Sequence, residues 1–190
     1  MKFRDYQYDQ TGTQATTNLV VASHCVNILS AGTGQSELIG RVATLKSLNV
    51  IFQFKAAAFV GDKTAGKFCH LYVVLDRQPT GSITATDLFD GHPGFMLNLT
   101  NSRRFRVLRK LQVKDKVSYS TTYGSGSGYY THDVSAFIDL KSIKSVYVDN
   151  ATSSPNDIKS NALYCVIIRE GGDASNLTGY NLVTRLRYTD

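Results

Sequence analysis

The stretch Tyr180 to Tyr188 reads YNLVTRLRY, and its alternation decides how the rest of the chain is read. Leu182, Thr184, Leu186 and Tyr188 fall on one side of an extended backbone, and Val183, Arg185 and Arg187 on the other. Successive side chains of a strand point to opposite faces, so one face suits a core and the other water. Working back toward the N-terminus, similar runs recur between turn signals at 17–28, 42–55, 68–75, 103–113, 117–121, 134–141 and 162–169, with a minor one at 145–148. Within 42–54 the even positions Val42, Leu48, Val50, Phe52 and Phe54 predict an apolar face. The long connection 76–101 has room for one helical turn at 86–90, with Thr86 as its cap. Tyr and Phe together number 20 and the chain has only two Glu, Glu37 and Glu170, a composition that favours sheet.

A chain of 190 residues is long enough for one packed domain and short for two. Eight strands without strand–helix alternation predict an all-β fold, an eight-stranded jelly-roll β-sandwich. An immunoglobulin-like or lectin-like sandwich satisfies the same pattern. Residues 1–16 are expected as an extended N-terminal segment and 17–190 as the single domain.

Lys and Arg number 21 against 15 Asp and Glu, a net charge of +6. Residues 102–116, SRRFRVLRKLQVKDK, hold seven cations and one acid, which equals the net charge of the whole chain. Strict alternation puts Phe105, Val107, Leu111 and Val113 on a core face with Arg109 among them. It puts Arg104, Arg106, Lys110 and Lys114 on a cationic face, with Leu108 the exception. Such a face suits phosphate groups, and equally suits solvent or the Asp residues of a neighbouring subunit.

Catalytic chemistry finds no footing. Gly61 to Phe68, GDKTAGKF, follows the phosphate-loop spacing until Phe68 replaces the hydroxyl residue, and a strand rather than a helix follows. In Gly124 to Gly128, GSGSG, Gly126 occupies the position of a nucleophile. His24, His70, His92 and His132 are scattered, so no metal ligand set emerges. Cys25, Cys69 and Cys165 lie far apart, each in an apolar run, as buried thiols do. The sequons at Asn98, Asn150 and Asn176 occur at about chance frequency. No catalytic residue, cofactor or metal is expected. No run of 18 apolar residues offers a membrane span, and the polar first 18 residues are not a secretory signal.

Several segments carry a resemblance by their order. Gly34-Gln35 and Ile39-Gly40-Arg41 precede a long strand, and Leu71 to Leu75 runs into Asp76-Arg77-Gln78-Pro79-Thr80-Gly81. Thr86-Asp87-Leu88-Phe89 follows, then Arg103 to Lys110, Phe137-Ile138-Asp139-Leu140-Lys141 and Asn161-Ala162-Leu163-Tyr164. This order is similar to that of the capsid proteins of circular, replication-initiator-encoding single-stranded DNA viruses, closest to their geminivirus-like branch. The resemblance implies a coat protein that assembles with itself, about sixty copies to an icosahedral shell, around single-stranded DNA. It implies a virion component that visits the host nucleus during assembly, and it names no host receptor or import partner. The expected nucleic-acid contacts are Lys2, Arg4, Arg103, Arg104, Arg106, Arg109 and Lys110, acting by phosphate neutralisation, with bases stacking on exposed aromatics. Members of this group usually begin with a long basic arm. Here only Lys2 and Arg4 precede a polar stretch, Tyr6 to Asn18, that has no cation and one acid, Asp9, so an arm upstream of Met1 or an equivalent counterion source is expected. Two rivals stand beside this reading. One is a carbohydrate-binding sandwich that stacks sugars on Tyr123, Tyr129 and Tyr130; the other is a small satellite RNA-virus shell, which shares the pattern.

Overall fold

The computed structural model describes residues 1–13, 20–58, 69–90, 97–113, 128–169 and 178–190. Nine strands occur among them: β1 (Lys2–Thr13), β2 (Val20–Cys25), β3 (Val42–Ala58), β4 (Cys69–Asp76), β5 (Phe105–Val113), β6 (Gly128–Tyr147), β7 (Ile158–Ser160), β8 (Ala162–Arg169) and β9 (Thr178–Thr189). They form two antiparallel sheets, in the orders β1-β9-β3-β6-β7 and β2-β8-β4-β5. The three-residue β7 aside, each sheet has four strands and the chain crosses repeatedly between them, as in a jelly roll. The expected strand at 117–121 and the loop at 61–66 lie outside the described residues. The runs at 134–141 and 145–148 are one strand, β6, which bends where Lys141 and Ser142 take positive φ.

Residues 2–13, read from sequence as a segment ahead of the domain, are the edge strand β1 of the first sheet. Their even residues, Tyr6 and Tyr8 among them, turn inward and the odd ones stay exposed. Tyr8 lies over the ring of His24 on β2, with centroids 3.9 Å apart, and His24 Nε2 meets the Tyr180 hydroxyl of β9 at 2.8 Å. This polar joint closes one end of the space between the sheets. Leu48, Val50, Phe52, Leu182 and Leu186 of the first sheet and Leu71, Val73, Cys165 and Ile167 of the second fill the rest.

Two bulges correct the alternation read from sequence. In β3 the pairing slips between Leu45 and Ser47: Lys46 is extra against β9, while against β6 it stands opposite three residues, Leu140 to Ser142, and the parity of β3 reverses there. Ala43 and Leu45 are therefore buried below the bulge and Leu48, Val50, Phe52 and Phe54 above it, while Val42, expected in the core, is exposed. In β5 the pairing with β4 slips at Leu108, which explains why Leu108 broke the pattern. The helical turn also shifts: α1 is Ala85–Leu88, and Asp87 accepts from both the Thr84 backbone N–H and the Thr84 hydroxyl, so Thr84 rather than Thr86 is its cap.

Every position of β4 is buried, although its side chains alternate between two faces. The second face is covered by the β4–β5 connection, which folds back over the sheet as an outer layer. Phe89 meets Tyr72 edge to face at 5.2 Å, the Ser23 hydroxyl donates to the Ile83 carbonyl, and the Tyr164 hydroxyl donates to the carbonyl of Gly81. Gly81 has φ +107°, and a Cβ there would stand 2.8 Å from Asn156 Oδ1, so the turn requires glycine. The layer is anchored by Arg104, whose Nε and Nη2 bond the two carboxylate oxygens of fully buried Asp76 at 2.9 and 2.8 Å.

Removing one partner of a buried ion pair leaves the other charge unpaired, at a cost of about 3 kcal/mol. Arg104→Gln should therefore lower subunit stability by about that amount in chemical denaturation, whereas Arg106→Gln, a substitution on the exposed side, should change it by less than about 0.5 kcal/mol. Equal effects would remove the anchoring role of Arg104. Acid should weaken the fold through His24, whose pKa burial lowers. The unfolded chain takes up a proton near pH 6.5 that the folded joint resists, so stability is full above that pH and falls below it. His70, lowered by burial and then by the Lys110 charge, adds to the same slope. Melting temperatures between pH 7 and 5 should fall less steeply for His24→Gln than for the natural chain.

Candidate nucleic-acid interface

The seven cations singled out from sequence do not form one surface. Lys2 donates to the Asp190 carboxylate at 2.7 Å and to the Glu37 carbonyl at 3.0 Å, which ties the first strand to the last. The same contact holds the Asp190 carboxyl below its usual range. Arg4 is half-buried opposite Leu186 on the inward side of β1. Burial pushes the Tyr188 hydroxyl up to about 12, with Arg4 pulling against the shift. Arg104 is committed to Asp76, also donates to the Thr80 hydroxyl at 3.0 Å, and lies over the Phe105 ring. Lys2 and Arg104 are thus engaged within the fold, and Arg4 is half-buried beside Tyr188.

Arg103, Arg106, Arg109 and Lys110 are exposed along β5 and just before it. β5 ends the second sheet, with β4 on one side and no strand among the described residues on the other. Residues paired directly across two strands share a face. Arg109 pairs with Val73 and Arg106 with Leu75, so both arginines stand on the side of the sheet that looks toward the first sheet. Lys110 pairs with Tyr72, whose ring it approaches to 5.2 Å, and shares the outer-layer side with Phe105 and Val107. The bulge at Leu108 thus divides the cations that strict alternation had put together. Among the described residues Arg103, Arg106 and Arg109 make no ion pair.

Sequence reading missed one member of this corner. The Arg77 backbone N–H donates to the Arg104 carbonyl at 3.0 Å, and its Nη1 lies 3.4 Å from the Arg103 carbonyl. Arg77 follows β4 directly, so pairing of Asp76 with Phe105 carries it beside the start of β5. The hairpin register is the signal that would have found it. The outside of β1-β9-β3-β6 is of mixed character. Its outward residues include Asp5, Asp9, Asp133 and Asp139 and also Arg185, Arg187 and Lys144, with Lys46 and Lys141 at the bulge, so acids and cations are interspersed. Asp5 and Arg185 form a bidentate pair with both contacts at 2.7 Å, which holds the Asp5 carboxyl below its usual range.

The three cysteines are free and buried, and burial pushes the Cys25 and Cys165 thiols up to about 12. Tyr123 lies outside the described residues, as do the side chains of Tyr129 and Tyr130, on which the sugar-binding rival rests.

No curated protein matches the chain. Among solved structures, a chain titled Desmodium yellow mottle tymovirus is similar at 10% identity and TM-score 0.34, over 99% of this chain and 82% of that one. The infectious bursal disease virus VP2 subviral particle is similar at 8% identity and TM-score 0.31, over 96% of this chain and 32% of that one. Likenesses that weak carry no weight beside the sheet order itself. The family comparison is of another kind. The model of the geminivirus coat protein/nuclear export factor BR1 family matches residues 1–189, nearly the whole chain, and the jelly-roll topology fits a coat subunit. The chain belongs to the geminivirus coat protein/nuclear export factor BR1 family.

Proposed function

We propose that this coat protein closes, about sixty copies at a time, into an icosahedral shell around single-stranded DNA and performs no catalysis. The nuclear passage expected from the resemblance belongs to the same proposal. The observation that supports the nucleic-acid contact is the β5 corner, where Arg103, Arg106 and Arg109 are exposed and, among the described residues, free of ion pairs beside Arg77. Binding there is phosphate neutralisation, independent of sequence. About sixty copies at +6 each supply about 360 positive charges. A single-stranded genome that encodes only this chain and a replication enzyme of about 300 residues needs roughly 1,500 nucleotides and carries about four times as many phosphates, so a further source of cations is part of the proposal.

Particles made from these residues should sediment near 1.25 MDa, about sixty times 20.9 kDa. A stable monomer across protein and salt concentrations contradicts that. Replacing Arg103, Arg106 and Arg109 together by Gln should leave the subunit folded and lower the log–log salt slope for single-stranded DNA by about 2. An unchanged slope removes these residues from the interface and leaves them as charges that keep an edge strand from pairing with its neighbours.

A further inference from the structure

The bulge at Leu108 sets the spacing of the arginines on β5. Arg106 and Arg109 are three residues apart, which in a regular strand puts side chains on opposite faces. With Leu108 extra, Arg106 stands opposite Leu75 and Arg109 opposite Val73, so both share the side that looks toward the first sheet. Their partners on β4 are two residues apart, a rise of about 7 Å. Two residues beyond Leu75 comes Arg77, whose backbone N–H continues the ladder to the Arg104 carbonyl. Its guanidinium lies by the Arg103 carbonyl, so these two arginines mark a third position at the start of β5. All four side chains are exposed, and among the described residues none of them makes an ion pair. Lys110 pairs with Tyr72, lies over its ring and belongs to the other side of the strand.

Six covalent bonds link one phosphorus to the next along a nucleic-acid strand, as six link every second Cα of a polypeptide, so the two repeats are of similar length. Cations spaced by two residues of an extended ladder therefore match neighbouring phosphates. Among the described residues β5 ends its sheet, so this row runs along a rim of the sandwich rather than under a covering layer. We infer that a single strand of DNA lies along β5 with successive phosphates on Arg109, on Arg106 and on the Arg77–Arg103 pair, three nucleotides to each copy. The assignment rests on the DNA-binding reading above and adds to it the path of the strand, its register and the exclusion of Lys110. A row matched to the backbone repeat takes any base sequence.

Each phosphate contact on a single strand contributes about 0.7 to the log–log salt slope. Arg106→Gln and Arg109→Gln should each lower the slope for an oligothymidylate by about 0.7 and together by about 1.4, while Lys110→Gln leaves it unchanged. All three residues are exposed, so the variants should melt like the natural chain. Register is read with an oligothymidylate whose alternate phosphates are neutral methylphosphonates. Such a strand serves the two outer positions and leaves the middle one empty. On it Arg106→Gln should cost nothing and the double variant only about 0.7. A full loss of about 1.4 on the alternating strand, or a Lys110→Gln effect equal to that of Arg106→Gln, would overturn the row. Binding by the natural chain that responds to neither arginine puts the DNA elsewhere and overturns it too. A natural chain that binds no oligothymidylate at all removes the DNA-binding reading itself, and the unmodified strand alone decides that.

Discussion

A buried carboxylate governs half of this molecule. Asp76 ends β4 with no exposure to solvent, and a charge so placed persists only with a partner of excellent geometry. Arg104 supplies that partner through two parallel bonds, and in reaching it draws the end of the β4–β5 connection back across the sheet. Phe89, Ile83 and Gly81 then come to rest on Tyr72, Ser23 and Tyr164, and the outer face of the second sheet becomes a second core. The chain is therefore a sandwich with an added layer on one side and a bare face on the other. That asymmetry gives the subunit two unlike outsides.

The same pair explains why the basic segment was harder to read than the strands. Composition marks 102–116 as cationic, but which cations are available depends on an aspartate 28 residues earlier in the chain. Arg104 and Arg106 are the same residue type two places apart, one locked into the fold and the other projecting from it. Nothing local distinguishes them.

Regular strands were legible because side-chain parity is a physical constraint. β9 alternates as expected, and the unbroken apolar runs of β4 and β8 match their burial on both faces. Parity fails wherever one residue is inserted into a ladder, and Lys46 and Leu108 bear no mark of the bulges they make. β1 was missed for a different reason. Its inward side chains, among them Tyr6 and Tyr8, are polar-tipped and half-buried, so its hydrophobic signal is weak though its alternation is complete. The family resemblance depended on segment order, which bulges do not disturb.

The bond between Lys2 and Asp190 has a topological consequence. Because the second residue and the last of these 190 meet at one corner, the described chain is nearly a closed loop. A peptide attached to either end would leave the subunit from the same point. Joining the ends and opening the chain at an exposed turn would keep every strand pairing in place, so a circularly permuted subunit is compatible with this fold.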